Sequence, residues 1–286
     1  MRLITIDCLE APELDVFSRL SEVQLLHYYE PKEGVFIAES ANVILRALEA
    51  GYEPISLLVE TQRIDLEAQP VFQKIEELWG KEVLENLPVY TADHDTVTQL
   101  TGYSLVRGLW AVLRRKKTQS IDEFCEGKNR ITVLYDVVNP TNVGAIIRSA
   151  AALGMDGVLL TRESVNPLTR RAARVSMGTV FQIPWTIAPR REDADEKLLH
   201  QLHRLGYATV AMALTEDSVG ICDERLKREE KLAVVMGTEG DGLPADIIRD
   251  CTYRVKIPMY HGVDSLNVAA ASAVAFWELG KKVEKI

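Results

Sequence analysis

Ile131-Thr132-Val133-Leu134-Tyr135-Asp136-Val137-Val138 is almost unbroken in apolar residues. A strand written this way is buried on both faces, as in parallel sheets whose two sides are covered by helices. The next residues fit that picture. Asn139-Pro140-Thr141-Asn142-Val143-Gly144 reads as a turn, and Ala145 to Gly154 as a helix closed by glycine. Further strands are expected at 157–161, 207–212, 232–236 and 253–257, with helices at 167–175 and 196–205. Between them, Ser176-Met177-Gly178-Thr179 leads into 180–184. The alternation predicts an α/β fold with an open, mostly parallel sheet.

Downstream lies Ile257-Pro258-Met259-Tyr260-His261-Gly262-Val263-Asp264-Ser265-Leu266-Asn267-Val268, and then the helix Ala269 to Trp277. The helix body, AAASAVAF, has no polar face, so burial is expected. Its polar residues crowd the amino end, where free backbone N–H groups can bind something polar. An ordinary cap by Asp264 or Ser265 is the simpler alternative.

Upstream, strands at 35–38, 55–59, 87–90 and 108–113 alternate with helices over NVILRALEAG, VFQKIEELWGKEV and the run to Leu100 before Gly102. This is a smaller α/β domain, 1–113. Arg114-Arg115-Lys116-Lys117-Thr118-Gln119-Ser120 opens a linker, 114–129, ahead of a second domain, 130–286.

Length and composition are those of one large or two modest globular domains. The first residues are acidic where a secretory leader is basic, and no apolar run is long enough to span a bilayer, so the cytoplasm is expected, with no membrane partner. Cys8, Cys125, Cys222 and Cys251 are scattered and form no C-x-x-C pair, so they read as buried small hydrophobes and no metal is expected. The net charge of -9 argues against binding nucleic acid by bulk attraction. Yet the stretch from Arg148 to Arg191 holds Arg148, Arg162, Arg170, Arg171, Arg174, Arg190 and Arg191 against Asp156 and Glu163 alone. Arginine without lysine suits bidentate phosphate or carboxylate recognition, and Arg170, Arg171 and Arg174 are the candidate RNA-binding residues.

Ligands of open parallel sheets bind outside the carboxyl ends of the strands. Three such ends have unusual composition: Asn139 to Arg148, Gly237-Thr238-Glu239-Gly240-Asp241-Gly242-Leu243-Pro244, and the segment from Ile257. The glycines lack the order of a dinucleotide fingerprint and the Lys and Ser/Thr of a P-loop, which argues against a nucleotide-dependent oxidoreductase. They suit a backbone brought close to a flat or extended ligand. Arg148, among Ile146, Ile147, Ala150 and Ala151, would need an acidic or phosphate partner.

Together these segments resemble the SpoU (TrmH-like) RNA 2'-O-ribose methyltransferases of the SPOUT superfamily. Asn142-Val143-Gly144 with Arg148 matches the first family motif, Gly237 to Leu243 around Glu239 the second, and Ile257-Pro258-Met259 with Ser265-Leu266-Asn267-Val268 the third. Ser176 to Pro184 matches the linking segment, and 1–113 looks like an L30e-type RNA-binding domain. The resemblance implies a C-terminal trefoil knot, a homodimer, S-adenosylmethionine as cofactor, and transfer of a methyl group to a ribose 2'-hydroxyl of tRNA or rRNA. It implies catalytic roles for Arg148, Asn142, Glu239, Ser265 and Asn267, with Arg148 nearest the hydroxyl. It implies cofactor binding by Met236, Gly237, Thr238, Gly240, Ile257, Met259, Ser265, Leu266 and Asn267. Departures from the pattern are Thr238 in place of Asn, Ala269 in place of Ser, and His261 where glycine is usual, with Gly262 one position late. A catalytically silent RNA-binding scaffold of the same fold is the alternative, and retention of the motif residues argues against it.

Overall fold

In the computed structural model, residues 2–6, 10–29, 34–101, 108–190, 192 and 196–281 are described. Cys8, Gly102 and Arg191 lie outside them. Two units divide the chain: 1–117 with Leu168–Phe181, and 118–167 with 182–286.

The first unit holds β1 (Arg2–Thr5), β2 (Val35–Glu39), β3 (Pro54–Glu60), β4 (Pro88–Ala92) and β5 (Leu109–Arg114), in the order β1-β4-β3-β5-β2. β1, β4 and β3 are parallel, while β5 runs antiparallel to both β3 and β2. β1 escapes sequence reading because it has four residues and is mostly exposed. Phe17, Ile37, Leu58 and Trp110 anchor the core of the unit. The helix expected over VFQKIEELWGKEV breaks at Gly80 into Gln69–Trp79 and Lys81–Asn86.

The expected charged linker is built differently. Arg114 closes β5 and pairs with Glu53 at 2.7 Å. Arg115 is buried and donates from Nε to the Val35 carbonyl at 2.9 Å. Burial pushes its pKa down to about 10, against the pull of Glu22 and Tyr52. Farther along, Ile121–Cys125 is a helix with a capping box, and Ile121, Phe124 and Cys125 enter the core of the second unit.

The arginine-rich helix forms at Arg170–Val175 and packs on β2 within the first unit. Ala172, Ala173 and Val180 are buried there, and the Phe181 ring lies 5.8 Å from Phe36 and 5.3 Å from Tyr52. Leaving that surface would expose all four apolar side chains to water, which is why this stretch belongs to the first unit.

The second unit is a sheet of β6 (Arg130–Leu134), β7 (Gly157–Leu160), β8 (Trp185–Ile187), β9 (Ala208–Met212), β10 (Val219–Gly220), β11 (Leu232–Met236) and β12 (Tyr253–Lys256). Their order is β10-β12-β9-β11-β6-β7-β8, and every pairing is parallel. β6 stops at Leu134, four residues earlier than its apolar run. Asp136 turns to φ 55°, and the hydroxyls of Thr161 and Ser164 accept the N–H groups of Asp136 and Val137 at 2.8 and 3.0 Å. The next helix starts five residues before the expected Ala145, at Pro140, because Asn139 caps it through Thr141 N and proline is preorganised for the first helical position. That early start puts Asn142 inside the first turn, where it is buried.

Cys125 and Cys251 are buried as expected, whereas Cys222 is exposed. Among the described residues no helix is long and apolar enough to cross a membrane, and no cluster of metal-ligating side chains occurs.

Candidate active site

A cavity of about 400 Å³ opens at the carboxyl ends of the neighbouring strands β12, β9 and β11. Three loops wall it. The first runs on from Met236 at the end of β11 and contributes Gly237, Thr238, Glu239 and Gly240; the second follows β12 and contributes Ile257 and Met259; the third precedes the last helix and contributes Ser265, Leu266 and Asn267. Every residue expected to hold the cofactor therefore lines one cavity. Sequence reading missed Met212, Ala213 and Leu214 at the end of β9, and Lys256. The rule that parallel sheets bind at strand ends would have found the first three.

Close backbone approach builds the first loop. A Cβ on Gly237 would stand 2.6 Å from the Gly242 carbonyl carbon and 2.7 Å from Leu243 N, so only glycine fits. Thr238 and Gly242 form an antiparallel bridge that closes the loop on itself.

The last helix, Val268–Leu279, is capped by Asn267 and not by Asp264 or Ser265. Asn267 Oδ1 accepts from Ala269 N at 3.0 Å and Ala270 N at 3.4 Å. Its Nδ2 donates to Asn142 Oδ1 at 3.2 Å and to Glu239 Oε1. One side chain thus joins all three sequence motifs. Asn142 Nδ2 is buried without a hydrogen-bond partner among the described residues, a donor whose desolvation costs about 1–3 kcal/mol until something accepts from it.

Arg148 stands apart. Six residues beyond Asn142 the helix has turned about 240° past it, and Arg148 is exposed, with no hydrogen bond or ion pair to a described residue. The apolar neighbours Ile146, Ile147 and Ala150 take the buried side and Arg148 takes the other, so the acidic partner it calls for is not supplied by the described residues. The last helix is likewise less buried than its composition suggests, with Val274 39% and Trp277 70% exposed.

Of the candidate RNA-binding arginines, Arg174 pairs with the buried Glu39 at 3.3 Å. Arg170 gives its backbone N–H to Glu22 at 2.8 Å, and its guanidinium reaches the Phe17 carbonyl at 3.4 Å. Arg171 is exposed. His261 lies outside the cavity lining and adopts φ 56°, ahead of Gly262 at 70°: two consecutive left-handed residues take up the slipped position. A second cavity, of about 300 Å³, is lined by Tyr135, Asp136, Thr161, Glu163 and His200 among others, and contains none of the expected site residues.

A parallel sheet with a glycine-lined cavity at three adjacent strand ends defines a ligand-binding α/β enzyme domain. Comparisons narrow the class. The model of the SpoU rRNA methylase family matches residues 129–277. An uncharacterized tRNA/rRNA methyltransferase of Mycobacterium bovis is 32% identical over 93% of this chain and 88% of its own length. A protein of Staphylococcus haemolyticus named for the TrmH family of tRNA/rRNA methyltransferases is 28% identical over 63% of this chain and 72% of its own. An AdoMet-bound rRNA methyltransferase of Sinorhizobium meliloti has the same fold, with a TM-score of 0.78, 23% identity and 97% of each chain covered. A solved RNA 2'-O ribose methyltransferase aligns with a TM-score of 0.70 at 22% identity, over 97% of this chain and 98% of the other. The chain belongs to the SpoU rRNA methylase family, whose chemistry is methylation of RNA with S-adenosylmethionine as donor.

Proposed function

We propose that the protein transfers a methyl group from S-adenosylmethionine to a ribose 2'-hydroxyl of tRNA or rRNA. The observation that carries this reading is the single cavity into which all nine residues expected to bind the cofactor project, with the Asn142–Asn267–Glu239 cluster at its edge. The cavity fits such a cofactor in size and chemistry. It has room for a nucleoside, apolar Met236, Ile257 and Leu266 to flank a flat base, and polar Thr238, Ser265 and Asn267 for hydroxyl and amino groups.

Bound there, S-adenosylmethionine supplies an electrophilic methyl group on a sulfonium. The chain must align a hydroxyl with that methyl and help the hydroxyl proton leave. The unpartnered Asn142 Nδ2 is a donor held ready for a substrate oxygen, and Asn267 keeps it in place from the other side. Arg148 acts as a fixed cation that orients the nucleotide through its phosphate and is not itself the base.

The reading extends to assembly. The protein works as a homodimer, which covers Val274 and Trp277 and brings the exposed Arg148 of one protomer to the cavity of its partner. The last helix passes through the loop 237–244 in a trefoil knot, consistent with one cavity walled by three segments far apart in sequence. Unit 1 binds RNA with help from the exposed Arg171, while Arg170 and Arg174 fasten the helix that carries it, in the cytoplasm where that RNA resides.

The test is tritium transfer from labelled S-adenosylmethionine to bulk RNA, followed by digestion and mass spectrometry of the nucleosides. Ribose-methylated nucleosides are expected. Base-methylated products would overturn the choice of atom, and S-adenosylmethionine binding without transfer would favour the silent scaffold.

A further inference from the structure

The first-motif helix, Pro140–Ala152, and the last helix, Val268–Leu279, lie side by side and run the same way. Their amino ends meet where Asn142 touches Asn267. Their carboxyl ends meet as well: Lys281 N donates to the Gly154 carbonyl at 3.0 Å, and Lys281 Nζ lies 2.6 Å from Asp156 Oδ1. The other Asp156 oxygen accepts the N–H groups of Asn129 and Arg130, both at 2.9 Å, so that carboxylate is fastened to the start of β6. The approach is as close as backbone allows. A Cβ on Gly280 would stand 2.1 Å from the Leu153 carbonyl oxygen, and one on Gly154 2.4 Å from the Lys281 carbonyl oxygen. Neither obstacle is a side chain that could swing away.

We infer that this carboxyl-end latch, Gly154, Asp156, Gly280 and Lys281, sets the axial position of the last helix and so positions Asn267 against Asn142 and Glu239 about 18 Å away. The inference rests on the cavity being the cofactor site, and not on which RNA atom is methylated. A helix is stiff along its axis, and both helices are rich in small residues. Gly144, Ala145, Ser149 and Ala150 on one helix and Ala271, Ser272 and Ala275 on the other leave little to resist sliding by interdigitation. With the ends pinned, sliding is blocked. With the far end released, the Asn267 side chain loses its register with two partners at once, and the cavity wall formed by Ser265 and Leu266 moves with it.

Gly280→Ala and Lys281→Met, with Lys281→Arg as the conservative control, test this in the full-length protein. S-adenosylmethionine affinity is read by calorimetry, kcat and KM for bulk RNA by tritium transfer, fold by thermal unfolding, and capping by hydrogen exchange at Ala269 and Ala270. Gly280→Ala should weaken S-adenosylmethionine binding at least tenfold and lower kcat, with KM for RNA unchanged and faster exchange at Ala269 and Ala270. Lys281→Met should do the same about threefold, and Lys281→Arg should restore it. If Gly280→Ala fails to fold, the Lys281 pair decides alone. Wild-type cofactor affinity in Lys281→Met, or faster exchange confined to the carboxyl end of the helix, overturns the latch. Products methylated on the base would overturn the proposed reaction and leave the latch standing, since cofactor affinity is measured without RNA.

Discussion

Asn267 caps the last helix with its Oδ1 and, with its Nδ2, reaches Asn142 across 125 residues of sequence at 3.2 Å. Cap and active-site contact are therefore one side chain with two separable duties. Asn267→Ala removes both and should cost about 1 kcal/mol of stability, the usual price of a lost cap, together with at least a hundredfold loss of methyl transfer. Asn267→Asp keeps a capping oxygen but sets a second carboxylate against Glu239. It should hold the melting temperature and lose the activity. Equal activity in Asn267→Asp and wild type would show that the contact with Glu239 is incidental.

Gly237→Ala adds one methyl group at the tightest point of the loop after β11. Its Cβ would meet Gly242 and Leu243 backbone within 2.7 Å, so the loop has to open. The cavity wall from Thr238 to Gly240 shifts with it. The expectation is loss of S-adenosylmethionine binding by tenfold or more in calorimetry, with destabilisation of about 1–3 kcal/mol in denaturant unfolding. Affinity retained within a factor of two would mean that these backbone atoms do not shape the cofactor site.

Much of this was legible because parallel sheets announce themselves. The apolar runs at 131–134 and 232–236 could only be central strands, and three odd compositions at strand ends converged on one cavity. What stayed hidden depends on contacts distant in sequence. Nothing in RRAARV says that Ala172 and Ala173 are buried in the first unit, whose β2 lies more than 130 residues upstream, or that Arg174 pairs with Glu39. Asn267 reads as one member of a motif, and its choice as the cap over Asp264 and Ser265 is settled by where Asn142 and Glu239 stand. The motif names Arg148 but not the side of the helix it takes, and in the single chain that side is exposed.

The arginine-rich helix should divide in its effect on RNA binding. Arg171 is exposed, while Arg174 is tied to a carboxylate that is only 9% exposed on its side chain. Arg171→Ala should lower affinity for bulk RNA and flatten the plot of log affinity against log salt by about 0.7–0.9, one phosphate contact. Arg174→Ala should leave the slope nearly unchanged while lowering the stability of unit 1, because Glu39 is left buried without its partner. The reverse ranking in filter-binding titrations would show that Arg174 leaves Glu39 for phosphate.

Asp156 makes the latch sensitive to acid. Burial pushes its carboxyl pKa up, but the hydrogen bonds from Lys281 and from the backbone of Arg130 and Asn129 outweigh burial and hold it below the ordinary value. A pKa lower in the folded than in the unfolded chain means that the ionised group stabilises the fold. That contribution is complete above the ordinary carboxylate value of about 3.9 and is lost as pH falls through the lowered folded value. The stability difference between wild type and Asp156→Asn in urea unfolding should therefore stay constant from about pH 8 to about pH 5 and shrink only below about pH 4. Lys281→Met removes one of the three hydrogen bonds that lower the pKa, so in that background the contribution should be smaller and its loss should finish at higher pH. A wild-type advantage that instead fades between about pH 6 and about pH 8 would assign the titration to a histidine and remove Asp156 from the latch.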